Sequence, residues 1–377
     1  MEGGDSKIYN VPEWKLTANQ INKEDTMKKK ESLLAGFIVL LTVMFFILFS
    51  IPGFAAGKVY RLKIQSGYPR GDLSVDMLSG FADAAAKRSN GQLKISVFAD
   101  PEIVPVDQLF DATRVGTLDM LHCGGTFWGG IVPVGEVEFG IPYAFKVPGS
   151  KSYRESAAAL REFFFLSGFV NLLREEYGKH GLFWLDMHTY GEVPFTLATK
   201  CIETLDDLKG VKIRDEGVWT VWHNNVGWRG TTSVPPPDTY MALKLGTLDA
   251  SQWDVSAVTG MKWHEVAPYW IKGLENDTAV GHIMVNTKLW NNLPSELKDA
   301  LAGAAKDYWQ LCIDAYEKEM KTVEGMVKKG EVKVCHLNEE AVKKHAEEAY
   351  KLWDELAAKD EASAKAIKLL REWRGMK

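Results

Sequence analysis

The stretch GQLKISVFADPEIVPVDQLFDATRVGTLDMLHCGG, Gly91 to Gly125, decides the fold. Its first part, Gly91–Ala99, reads as a strand, VDQLFDATRVG (106–116) has helical spacing, and LDMLHCG (118–124) is a second apolar strand. Working outward, KVYRLKIQSG (58–67) adds a strand and SVDMLSGFADAAAKRS (74–89) a helix ahead of them. Strand, helix, strand, helix, strand is the pattern of a parallel sheet with helices on its faces. Right-handed crossovers leave the carboxyl ends of such strands on one edge, where open α/β sheets bind ligands. Gly67, Gly124 and Gly125 fall at that edge.

A separate, similar pattern follows. GLFWLDMH (181–188), EVPFTLAT (192–199), VKIR (211–214) and LDASQWD (248–254) read as strands, separated by the helical stretches TLDDLKG, VWTVWHNNVG and PDTYMALKLG. AVGHIMVN (279–286) returns to strand alternation before a helix-rich end from Ser295 to Trp373. The fold class predicted is therefore α/β, two lobes with a ligand cleft between them and a helical C-terminal region. Residues 58–183 with about 278–310 form one lobe, 184–277 with about 311–337 the other, and 338–377 the C-terminal helices.

The chain of 377 residues is long enough for two such lobes, and 46% hydrophobic with 25% charged residues is ordinary for a globular protein. A net charge of -5 without an extended basic face excludes nucleic acid as a partner class. The N-terminus reads as an address: Met27-Lys28-Lys29-Lys30, then LLAGFIVLLTVMFFILF (33–49), then Pro52 and GFAAG. Positive, apolar and small-residue segments in that order are an export signal, with cleavage after Ala55 or Ala56 and a mature protein in the periplasm. Residues 1–56 are thus extension and signal, with Met27 the expected true start; an uncleaved membrane anchor is the alternative. Four cysteines, Cys123, Cys201, Cys312 and Cys335, match no zinc spacing and are expected free, or joined in at most one disulfide.

TLDDLKGVKIRDEG (204–217), DTYMALKLGTLDASQWD (238–254) and IMVNTKLWNNLPSEL (283–297), in this order and spacing, resemble the solute-binding subunits of tripartite ATP-independent periplasmic (TRAP) transporters. The resemblance covers essentially residues 58–340. It implies two α/β lobes closing over an organic acid and handing it to the small and large membrane subunits of an ion-gradient-driven permease. It also allows a homodimer through C-terminal helices, although nothing local argues for one.

Chemistry and resemblance meet at Arg214. A guanidinium at a strand end facing a cleft offers a planar fork that fits a carboxylate bidentately. An ion pair with Asp215 or Glu216 is the competing structural role; Arg214 matches the family's carboxylate clamp. Gln252 and Trp253 follow the strand LDA, where the ring would cover the apolar part of a ligand, against the alternative of a core tryptophan. The 2-oxo-acid branch carries Glu-Trp here and holds a metal ion beside the ligand. Gln252 keeps an oxygen but loses the charge a sodium or calcium ion favours, with the Trp253 carbonyl as a second ligand.

In HCGGTFWGG (122–130), Phe127 and Trp128 are candidate pocket walls, or lobe-packing aromatics. Tyr143 matches an aromatic scaffold slot near the cleft. Phe195 and its neighbours stand where some dicarboxylate binders carry a second arginine, so a monocarboxylate with an apolar or aromatic body, such as a 2-oxo acid, is expected. His188, Tyr190 and Glu192 in DMHTYGEV lie on the bend between lobes, as ligand contacts or as a surface turn; Asn225, Asn276 and His282 are weaker candidates. No G-x-S-x-G, P-loop, H-E-x-x-H or C-x-x-C is present, so no enzyme is expected. A lyase or isomerase pairing Glu192 with His188, or an anchored sensor domain, is the alternative reading.

Overall fold

The structure, a computed structural model, describes residues 14–49, 58–147, 149–232 and 234–376. The chain divides into two compact units, residues 1–57 and 58–377. In the first, one helix spans Trp14–Phe49. It passes through Met27 without a break and leaves Leu33, Leu34, Phe37, Ile38 and Leu40 exposed. The expected cleavage positions, Ala55 and Ala56, lie outside the described residues.

The second unit contains two sheets. The first has the order β2-β1-β3-β10-β4, from β1 (Tyr60–Ser66), β2 (Leu93–Phe98), β3 (Met120–Cys123), β4 (Leu182–Thr189) and β10 (Val280–Asn286). β2, β1 and β3 are parallel, and β10 runs antiparallel between β3 and β4. The helices Leu78–Arg88 and Val106–Val115 make the two crossovers read from the sequence. The second sheet has the order β11-β9-β5-β8-β6-β7, from β5 (Phe195–Ala198), β6 (Lys212–Arg214), β7 (Arg229–Thr231), β8 (Ala250–Trp253), β9 (Tyr269–Lys272) and β11 (Lys333–His336).

The chain crosses between sheets at residues 190–194, because β4 stays hydrogen-bonded to β10 as far as Thr189. Strand pairing therefore keeps residues 184–189, expected in the second lobe, with the first sheet. The expected division near 310 falls inside one continuous helix, Ser295–Lys329, whose buried face (Leu297, Leu301, Tyr308, Cys312, Tyr316) leaves no break.

Two C-terminal helices clamp the back. In Glu339–Ala357, the His345 carbonyl accepts from Trp222 at 2.8 Å, and Trp353 donates to the Pro142 carbonyl at 2.9 Å, so one helix ties down both lobes. In Glu361–Trp373, Trp373 stacks on Phe163 at 4.9 Å. Cys201, just past β5, is joined to Cys335 on β11, while Cys123 and Cys312 are buried and free.

Candidate functional site

β1, β3, β6 and β8 all end at one cavity between the sheets, as expected for the carboxyl edge of parallel strands. Tyr68, Asp72, Phe127 and Phe139 line it from the first lobe, Tyr190 and Val193 from the crossing, and Arg214, Glu216, Gln252, Trp253 and Asp254 from the second. Measured as room for the centre of a water-sized sphere, its volume is about 40 Å³. A single water needs roughly 10–15 Å³ on that measure, so the cavity as it stands suits a ligand of few heavy atoms. The lobes meet above it. Glu136, on the first-lobe helix Val134–Phe139, accepts from Thr126 Oγ1 at 2.6 Å and from the Val218 amide at 3.5 Å, at the start of the second-lobe helix Gly217–Val226. Burial pushes the Glu136 carboxyl up to about 7.

Arg214 ends β6 with 1% of its surface exposed. Nε donates to the Val234 carbonyl at 3.3 Å, Nη2 pairs with the Glu216 carboxylate, and the guanidinium lies 4.9 Å from the centre of the Trp253 ring. Nη1 is buried without a partner. Desolvation pulls the guanidinium pKa down to about 10, which still leaves it charged at neutral pH. Its neighbour Asp215 pairs with the buried His223; burial raises the Asp215 carboxyl all the same.

Gln252 Oε1 is buried without a partner. Trp253 donates from Nε1 to Asp72 at 2.9 Å, across the cleft. Asp72 caps the short helix Leu73–Asp76 through the Ser74 amide at 2.9 Å. Asp254 accepts from the Ser256 amide and the Tyr316 hydroxyl, both at 2.7 Å. Burial lifts both Asp72 and Asp254 above the usual carboxylate range, and the charge of Asp72 lifts Asp254 further.

Of the residues expected from sequence, the cavity brings together Arg214, Gln252, Trp253, Phe127 and Tyr190. Trp128 lies elsewhere, packed 5.3 Å from both Phe110 and His282, with Nε1 3.4 Å from the Tyr177 hydroxyl. The turn Gly125–Trp128 sends neighbouring side chains to opposite sides, so one aromatic of the pair reaches the cavity and the other the lobe interior. Glu192 also faces away and pairs with Lys272 at 2.7 Å. His188 does not meet it; its Nε2 lies 3.3 Å from the Tyr190 hydroxyl inside the first lobe. Tyr143 is scaffold, donating to the Gly273 carbonyl at 3.1 Å.

Sequence reasoning missed Tyr68, Asp72, Phe139, Val193, Glu216 and Asp254. The first two had a signal: they follow β1 directly in SGYPRGD, on the edge the strand pattern had marked. It also missed that His122 and His188, distant in sequence, stack 4.1 Å apart.

The model of the bacterial extracellular solute-binding proteins, family 7 (DctP), matches residues 66–360. A monocarboxylate 2-oxoacid-binding periplasmic protein of Nostoc sp. is 23% identical over 288 residues, 74% of this chain and 75% of that protein. Among solved structures, a TRAP periplasmic solute-binding protein from Pseudoalteromonas atlantica, with bound sodium and pyruvate, is similar with a TM-score of 0.74. Its identity is 22% over 84% of this chain and 94% of that one. A counterpart from Colwellia psychrerythraea, with bound calcium and pyruvate, gives 0.73 at 23% identity over 84% and 95%.

Proposed function

We propose, from the premise that this chain belongs to family 7 of the bacterial extracellular solute-binding proteins, the receptors of TRAP transporters, that it captures a small monocarboxylate at Arg214. It is a solute-binding protein of a transport family and not an enzyme. The observation that carries the ligand reading is the buried, unpartnered Nη1 of Arg214 in a cavity sized for a few heavy atoms. A buried cationic N–H without an acceptor is costly, and a ligand carboxylate relieves that cost. Trp253 and Phe127 supply rings for the ligand body, and Arg214 is the one basic side chain in the lining. That composition supports a monocarboxylate over a dicarboxylate.

Lobe closure is the binding step. Glu136 at the amino end of Gly217–Val226, and Trp253 on Asp72, are bonds between lobes that form only when the cleft is shut. Closure strips water from the carboxylate, and the guanidinium fork replaces that hydration. The partners in this reading are the two membrane subunits of a permease, with a homodimer through the C-terminal helices as a further arrangement. The helix Trp14–Phe49, with its exposed apolar residues, serves as export signal or as membrane anchor, which N-terminal sequencing of the exported protein distinguishes.

The cavity residues do not fit the sodium or calcium ion held by the structural relatives. Glu216 is engaged by Arg214, Asp72 by Trp253 and Ser74, and Asp254 by Ser256 and Tyr316. Among the described residues no group of three or more His, Cys, Asp or Glu side chains could hold a metal. Gln252 Oε1 offers one open, neutral oxygen, whereas calcium takes 6–8 oxygen ligands, several of them anionic.

Calorimetric titration of the refolded protein with small mono- and dicarboxylates tests the reading, together with native mass spectrometry for ligand retained through purification. A monocarboxylate that binds at micromolar or tighter affinity without being consumed is expected. Turnover of the bound acid would contradict it, as would selective binding of dicarboxylates.

A further inference from the structure

The open atoms of the cavity are of two kinds. Arg214 Nη1 is a donor, and Gln252 Oε1 is an acceptor; both are buried without a partner. The carboxylate of a ligand satisfies the first. A 2-oxo acid has nothing for the second, since its carbonyl and carboxylate oxygens only accept. Placed against Gln252 Oε1 it would set two acceptors face to face.

The charges point the same way. Asp72, Glu216 and Asp254 share the wall with the one guanidinium of Arg214, which Glu216 already pairs. A simple anion entering this wall adds charge of the sign it already carries. A zwitterion adds no net charge and brings the missing donor.

Resting on the reading of this cavity as a small-acid site, we infer that the ligand is a 2-amino acid, its carboxylate on Arg214 and its ammonium directed at Gln252 Oε1.

Matched pairs of acids test this: alanine with pyruvate, leucine with 4-methyl-2-oxopentanoate, and phenylalanine with phenylpyruvate. Each is titrated into the refolded chain in EDTA and choline chloride, then with sodium or calcium added. At least one amino acid is expected to bind ten times or more tightly than its 2-oxo partner, with no dependence on either metal. In Gln252→Leu that preference should vanish, while Gln252→Glu should retain it. A 2-oxo acid that binds equally well or better would overturn the inference, as would amino-acid binding that needs sodium or calcium. If 2-oxo acids bind only with an added cation, the small-acid reading stands and the ammonium is excluded. If neither class binds under any condition, both fall.

Discussion

Two buried polar regions lie within a few side chains of each other and differ in one respect. In the first lobe His122 accepts from Ser66 at 2.9 Å through Nδ1 and donates from Nε2 to Tyr308 at 3.0 Å, because the Tyr308 proton goes to the Ser74 carbonyl. Glu138 there receives Tyr177 at 2.6 Å, His282 at 2.7 Å and the Trp184 indole. The unpartnered ring atoms in this cluster are His188 Nδ1 and His282 Nε2, and a neutral imidazole carries one nitrogen without a proton in any case. Burial holds His122 and His188 neutral. At the cavity, by contrast, the open atoms are a cationic N–H and an amide oxygen, which have no such neutral resting form. A buried polar cluster that satisfies itself is architecture; one that leaves strong groups open beside a cavity is a candidate binding site.

Substitutions should therefore separate into those that move stability and those that move affinity. The largest stability effect is expected at Glu138→Ala, which strands three buried donors and should cost about 3–5 kcal/mol in denaturant unfolding. Ligand affinity in the folded protein should change little. If affinity fell more than tenfold while unfolding was unaltered, the cluster would belong to the site.

Trp253→Phe keeps an aromatic wall but removes the donor to Asp72 across the cleft. It should weaken binding by about 1–3 kcal/mol, the cost of an unsatisfied buried acceptor, with a smaller effect on unfolding. A variant that loses stability and keeps its affinity would place Trp253 with the architecture.

The pH dependence of the empty protein is a smaller effect. Asp254 and Glu136 have carboxyls raised above their unfolded values, Glu136 to about 7. Their folded forms hold protons that the unfolded chain releases, so their contribution is complete at low pH and is lost as pH rises through the folded values. His122 and His345 are lowered to about 3 and His188 well below its ordinary value, so their opposing effect fades as pH rises past about 6.5. Between pH 6.5 and 8 stability should fall by about 1–2 kcal/mol. Asp254→Asn should flatten that decline, and an unchanged slope would remove Asp254 as its source.

Fluorescence gives the smallest and simplest signal. The ligand-induced change in tryptophan emission should persist in Trp128→Phe and disappear in Trp253→Phe, since Trp253 lines the cavity and Trp128 packs behind it. Reversal of that pattern would exchange their roles.

Much of the architecture was legible because it is periodic. The strand and helix alternation of residues 58–124 and the strand-end position of Arg214 follow from local pattern. The crossing at 190–194 was less legible, because β4 is apolar throughout and only its pairing with β10 shows which sheet holds its last residues. Phe127 and Trp128 are adjacent aromatics, and sequence carries no sign of which one a tight turn aims inward. The carboxyls Asp72 and Asp254 come from opposite lobes, and their convergence is a property of closure, which no single stretch of sequence encodes.

The central claim is that Arg214 is held open for a carboxylate. It is tested most directly by calorimetric titration and thermal unfolding of the same two variants, Arg214→Ala and Arg214→Lys. Removing one member of a buried charge pair costs about 3–5 kcal/mol, so Arg214→Ala should lose roughly two to four decades of affinity while unfolding cooperatively. Arg214→Lys should recover only part of that loss, because a point charge cannot reproduce the fork. A well-folded Arg214→Ala protein that binds its ligand as tightly as the parent would show that the arginine serves Glu216 alone, and would contradict the account.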